Sequence, residues 1–176
     1  MRQVTKLLIT LISGFYLASL LVPGLEENLY LNRYLVFNLG EYWRLLTVAL
    51  THGGLMHLFF NMYALLILGN SLESAIGQKK FLAIFTISQI GASLASIYFS
   101  PINQVSVGAS GAIFGLFGAM IIVSKRFGLE VKQIYVIVGI NFAIGFIFPG
   151  IDWRAHLGGL ISGVIAATVL LSPARS

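Results

Sequence analysis

The chain has no cysteine among its 176 residues, which excludes disulfides, thiolate metal sites and a cysteine nucleophile. Charge is nearly as scarce: 10% of residues are Asp, Glu, Lys or Arg, against 57% that are hydrophobic. That balance lies outside soluble domains and inside polytopic membrane proteins. The chain also lacks any basic run with interleaved aromatics, so its formal net charge of +5 does not point to nucleic acid. The placement of those charges explains the excess better.

What is present is apolar sequence in blocks. Six segments emerge, at about residues 5–22, 47–70, 81–99, 107–124, 131–148 and 155–171. Each approaches the roughly 20 residues that a helix rising ~1.5 Å per residue needs to cross ~30 Å of hydrocarbon. Turn formers separate them: Pro23-Gly24, Gly77, Pro101, Gly128 and Pro149-Gly150. The expected fold is therefore all-α, a single domain of six transmembrane helices over residues 1–176. Arg2 and Lys6 ahead of the first segment would suit a signal peptide, but Pro23-Gly24 offers no small-residue cleavage site and more spans follow.

Lys and Arg accumulate in loops that stay cytoplasmic, and this orients the bundle. With six spans one side holds Arg2, Lys6, Lys79, Lys80, Lys125, Arg126, Lys132 and Arg175 with Glu73 and Glu130. The other holds Arg33, Arg44 and Arg154 with Glu26, Glu27, Glu41 and Asp152. Both termini are therefore expected in the cytoplasm. His52, His57 and Asn61 then occupy the outer half of the second segment, Ser110 the outer end of the fourth, and His156 the first turn of the sixth. Every histidine of the chain shares one outer layer with a glycine-flanked serine, and ionisable groups at such depth default to functional readings.

Small residues indicate how those helices approach. Gly108, Gly111, Gly115 and Gly118 line one face of the fourth segment, and Gly159, Gly163 and Ala167 line the face of the sixth that also carries His156. Two such faces can bring Ser110 and His156 within hydrogen-bond reach, although glycines also serve simply to pack spans. A neutral imidazole can take the serine proton during attack on a carbonyl, and the resulting oxyanion needs donors. His57 and Asn61, four apart on one helical face, and the Ser110 amide can supply them; interhelical hydrogen bonding is their plainer role. His52 lies about 140° away from His57 around an ideal helix and reads as supporting. Asp152, four residues before His156, either orients it or is a solvated loop charge beside Arg154, the commoner case. Without an embedded carboxylate the site reads as a Ser–His dyad.

Trp43-Arg44, His52 with His57 and Asn61, Gly108-Ala109-Ser110-Gly111, and Ala155-His156-Leu157-Gly158-Gly159 resemble, in order and spacing, the rhomboid intramembrane serine proteases in their six-span bacterial form. The resemblance runs from about Trp43 onward. It implies a rhomboid-like bundle with Ser110 as nucleophile, His156 as general base, and His57, Asn61 and the Ser110 amide as oxyanion site. It also implies that Trp43 and Arg44 belong to a partly membrane-embedded loop, about 23–46, that braces the fold. Where many members carry a tyrosine, this chain has Phe114, whose ring can stack on His156 but cannot donate a hydrogen bond.

A rhomboid-like activity implies cleavage in or near the transmembrane helix of another membrane protein, with lateral entry between the second and fifth segments. Phe142 and Phe146, four apart on the fifth, are candidate gate residues, and the loop from Pro149 to Arg154 a cap. No metal or cofactor is expected: H-E-x-x-H is absent and no carboxylate stands beside the histidines, while the absence of G-x-S-x-G disfavours a soluble-type serine hydrolase. The expected home is a bacterial cytoplasmic membrane, with the lipid bilayer and transmembrane substrates as partners and the site towards the outer face. A rhomboid-like protein that binds transmembrane helices without cutting them is the alternative.

Overall fold

The computed structural model describes residues 1–147 and 150–172, most of them helical. The helices are α1 (Gln3–Leu21), α2 (Arg33–Asn38), α3 (Arg44–Thr47), α4 (Leu55–Ile76), α5 (Gln78–Phe99), α6 (Ser110–Arg126), α7 (Lys132–Ile147) and α8 (Trp153–Leu171). Among the described residues four of them, α1, α4, α5 and α8, are long and apolar enough to cross a membrane, and α7 is a shorter apolar helix. Phe148, at the end of the fifth expected segment, Pro149, the first residue of the expected cap, and Arg175 lie outside the described residues.

Helix α6 is the hub. Of its 17 residues, 11 are buried, four of them glycine or alanine within the stretch from Gly111 to Gly118. The helices around it turn large apolar side chains outward, such as Leu55, Met56, Phe59 and Phe60 on α4 and Val136 and Ile140 on α7. That is a distribution for lipid rather than water as the outer solvent.

The glycine faces of α6 and α8 do meet. A Cβ added at Gly159 would run into the Gly111 carbonyl, one at Gly163 into the Gly115 backbone, and one at Gly118 would come 2.6 Å from the Leu160 carbonyl oxygen. Residue numbers rise together along the contact, so α6 and α8 run parallel. Helix α5 lies antiparallel to both. Its Ala92 and Ser88 occupy the space beside Gly111 and Gly115, and Gly91 and Ala95 face Ser162 and Gly158. The three helices thus form a core of backbone against backbone, in which dispersion and close approach replace the hydrophobic effect that lipid cannot supply.

Glu73 departs from its expected place in a cytoplasmic loop. Helix α4 runs on to Ile76 before Gly77, at φ +83°, ends it, so Glu73 is helical and buried. Its carboxylate accepts from the Val4 N–H (3.1 Å), the Thr5 N–H (2.8 Å) and the Thr5 hydroxyl (2.8 Å). The first turn of α1 has no internal partners for those N–H groups, and Glu73 provides them from the neighbouring helix.

The segment before α4 is not a continuation of it. Helix α3 and a 3₁₀ turn at Val48–Leu50 precede a break at Thr51–Gly54. Upstream, strand β1 (Leu31–Asn32) pairs antiparallel with β2 (Val105–Ser106), matching Leu31 to Ser106. This pairing ties the long first loop to the segment that enters α6.

The α6–α8 contact gives a stability prediction. Overpacking a filled core costs about 1–3 kcal/mol, so Gly159→Val should lower the thermal unfolding midpoint in detergent clearly. Gly14→Ala on α1, where an added Cβ meets nothing, should leave it unchanged or raised. Equal midpoints for the two variants would contradict this packing.

Candidate active site

Ser110 opens α6 and His156 lies in the first turn of α8. Because these helices are parallel and in backbone contact, their N-terminal ends coincide. The His156 Nε2 and Ser110 Oγ are 2.9 Å apart. The imidazole is buried and stacks on Phe114, ring centroids 4.1 Å apart and planes 10° from parallel. Its Nδ1 has no hydrogen-bond partner among the described residues, so packing and helix position orient the ring rather than a carboxylate.

The approach to Ser110 requires glycine at one place. Gly108 has φ +112°, a conformation that L side chains rarely adopt, and its N–H is held by the Val48 carbonyl at 3.0 Å. A Cβ there would lie 2.8 Å from His57 Cε1 and 3.0 Å from its Nε2. The His57 ring therefore packs directly on the backbone two residues before the serine. Its Nδ1 accepts a long hydrogen bond (3.4 Å) from the Gly53 N–H, which leaves the ring proton of a neutral imidazole on Nε2, the nitrogen beside Gly108. Asn61 is buried one turn further along α4 and donates to the His57 carbonyl at 2.8 Å, while its Oδ1 is unpartnered among the described residues. His52 is buried, with its ring centroid 5.0 Å from that of His57.

Phe142 of α7 makes an edge contact with Phe114 (5.2 Å) and lies 6.5 Å from the His156 ring. Phe146 is exposed and packs on Trp153 instead (4.9 Å). Only the first of the two candidate gate residues therefore borders the Ser–His pair. Trp43 is exposed and donates its indole N–H to the Asn28 carbonyl at 3.2 Å. Arg44 is buried: its Nη1 donates to the carbonyls of Glu27 (2.9 Å) and Tyr30 (2.8 Å), and its Nε to Glu41 (2.5 Å). These bonds close the first loop on itself beneath β1.

Asp152 is half-buried and hydrogen-bonded rather than a free loop charge. It caps α8 by accepting the Ala155 N–H (3.2 Å) and takes hydroxyl hydrogen bonds from Ser96 (2.5 Å) and Ser106 (2.8 Å). The sequence carries one signal for this arrangement: small residues at Ser88, Gly91, Ala92, Ala95 and Ser96 recur three or four apart and mark a third close-packing face. Among the described residues no three His, Asp or Glu side chains are grouped to hold a metal ion.

The family follows from comparison with known proteins. The sequence model of the Rhomboid domain matches residues 39–173, more than half of the chain and all of the helices that build the site. The chain belongs to the rhomboid family. It is 44% identical over 139 residues to "Rhomboid protease GluP" of Bacillus subtilis, covering 76% of this chain and 27% of that protein. It is 36% identical over 131 residues to "Putative rhomboid protease YdcA" of the same organism, covering 72% and 66%. "Inactive RHOMBOID-like protein 8" of Arabidopsis thaliana matches at 38% over 138 residues, covering 74% and 39%. The chain thus spans between about a quarter and two thirds of the length of these relatives. With this family and its apolar helices it is a multi-pass membrane protein. Because one relative is named inactive, whether this rhomboid cuts depends on its own residues.

Gly108→Ala tests the site's geometry without any assay of activity. Holding a non-glycine residue in so sparsely populated a conformation costs of order 1–3 kcal/mol, and the added carbon must displace His57. The variant should unfold at a lower temperature than wild type in the same detergent; an unchanged midpoint would contradict the backbone and ring arrangement.

Proposed function

We propose that this rhomboid is an intramembrane serine endopeptidase that cleaves transmembrane segments of other membrane proteins with a Ser110–His156 dyad. The observation that carries the reading is the 2.9 Å contact between His156 Nε2 and Ser110 Oγ, within the reach a nucleophile and its base require. In this reading His156 is neutral with its proton on Nδ1, and Nε2 accepts the hydroxyl proton as Oγ attacks the substrate carbonyl carbon. The tetrahedral intermediate then collapses: the C–N bond breaks, and His156 returns the proton to the leaving amine. Water, deprotonated by the same nitrogen, attacks the acyl-serine ester and releases the second product, restoring the hydroxyl.

The negative charge on the intermediate's oxygen develops at the N-terminus of α6, where backbone N–H groups lack intrahelical partners and the helix dipole favours an anion. The Ser110 amide is the nearest such donor. His57, with its proton on the nitrogen beside Gly108, and Asn61, which has a second amide hydrogen to give, complete the oxyanion site. Phe114 keeps the imidazole face covered. Each donor of this kind typically contributes about 10²–10³ in kcat.

The chain crosses the membrane six times, α6 and α7 beside the four longer helices, and with six spans the loop charges favour both termini in the cytoplasm. The residues 23–46 lie partly in the membrane, where Trp43 and Arg44 brace the loop, and the site opens towards the outer face of a bacterial cytoplasmic membrane. Substrate helices enter between α4 and α7 past Phe142 and Phe146. They must unwind locally, because an intact helix keeps its carbonyls in hydrogen bonds.

The test is cleavage of a single-span substrate by purified protein. Wild type should cut it, Ser110→Ala and His156→Ala should not, and Asn61→Ala should be slower by about 10²-fold. Cleavage at the wild-type rate by Ser110→Ala contradicts the reading. Binding of transmembrane helices by wild type without cleavage would favour the non-catalytic alternative.

A further inference from the structure

We propose that Asp152 is a positioning residue for this dyad: its carboxylate fastens the first turn of the histidine helix to the strand that leads into the serine. The inference rests on the protease reading above and names a part of the machinery outside the dyad and its oxyanion donors.

The geometry sets Asp152 at a junction of three elements. Oδ2 accepts from Ser96 Oγ on α5 at 2.5 Å and from Ser106 Oγ on β2 at 2.8 Å. Oδ1 accepts the Ala155 N–H at 3.2 Å and a long contact from Ser100 Oγ at 3.5 Å. Ser96 and Ser106 are themselves 2.9 Å apart; each hydroxyl has one proton, and both are directed at the Asp152 carboxylate. These donors, gathered at the N-terminus of α8, occupy both oxygens of the carboxylate.

The spacing gives the cluster its consequence. Ser106 stands four residues before Ser110, and Asp152 four residues before His156. One carboxylate thereby joins the two segments that deliver the nucleophile and the base, on the side of the site opposite the glycine contact below them. It makes no bond to the imidazole, whose Nδ1 has no partner among the described residues. Asp152 therefore acts through the backbone: it sets where α8 begins relative to β2, and so the separation of Nε2 from Oγ.

Misplacing reacting groups by about 1 Å from a remote mutation can cost about 10²-fold in rate. Asp152→Ala should accordingly lower kcat by about 10- to 100-fold while KM for a single-span substrate changes little, since no substrate contact is removed. Asp152→Asn should recover most of the lost kcat, because asparagine caps helices as well as aspartate does and its Nδ2 can donate to a serine hydroxyl, which accepts as well as donates. Ser96→Ala and Ser106→Ala, which remove only a hydroxyl, should each lower kcat several-fold. Added to Asp152→Ala, either should cost less than it does alone, because their shared partner is gone.

All rates are compared per folded molecule, with thermal midpoints measured alongside, so a variant that merely unfolds is not read as a slow enzyme. The serine variants carry the test if Asp152→Ala does not fold. A kcat within about twofold of wild type for Asp152→Ala or for both serine variants, or a change confined to KM, overturns the inference. Wild-type protein that cleaves nothing removes the protease reading itself and this inference with it. An active wild type matched by Asp152→Ala removes this inference alone.

Discussion

The backbone contact between α6 and α8 is the constraint on which the rest of the molecule depends. A Cβ on Gly159 or Gly163 would run into the backbone of Gly111 or Gly115, and one on Gly111 or Gly115 into Ala92 or Ser88 of α5, so the axes run closer than side chains would permit. Ser110 and His156 sit immediately beyond the end of that contact. Among the described residues, neither side chain has a hydrogen-bond partner other than the other. The 2.9 Å separation of Oγ and Nε2 is a consequence of helix packing, and the parallel direction of the two helices places both N-termini, with their free N–H groups, at one depth.

Around this core Glu73, Arg44 and Asp152 each fasten separate segments together. Glu73 supplies the missing acceptors for the first turn of α1, Arg44 collects three groups of the first loop, and Asp152 gathers α5, β2 and α8. A buried charge with one partner removed is costly, because the other is left unsatisfied. The polar residues therefore tie the connecting segments to a scaffold of closely packed helices, and they do so at or near the ends of helices, where backbone groups need partners in any case.

Much of this was legible in the sequence, for a physical reason. Glycine at spacings of three and four marks a helical face wherever it occurs, and loop charges report depth, so Ser110, His156, His57 and Asn61 could be placed in one layer before any coordinates. The stacking of Phe114 on His156 follows from the same register. Side-chain pairings between distant segments were not legible. Ser96 and Ser106 read as ordinary small residues, and only the fold brings them to Asp152. Glu73 looked like a loop charge because hydropathy falls before the helix ends; the backbone of α4 continues to Gly77 regardless. The second apolar segment hid a break, since Val48, Ala49 and Leu50 are as apolar as the helix proper, and the turn at Gly53-Gly54 is visible only as two small residues.

The most direct measurement is to treat the purified protein with a fluorophosphonate, which reacts only with an activated serine, and to locate the adduct by mass spectrometry. A Ser–His pair set by the α6–α8 contact predicts one adduct per chain, on Ser110, lost in His156→Ala and sharply reduced when Gly159 is replaced by valine. An adduct at another serine, or undiminished labelling of Ser110 in His156→Ala, would contradict it.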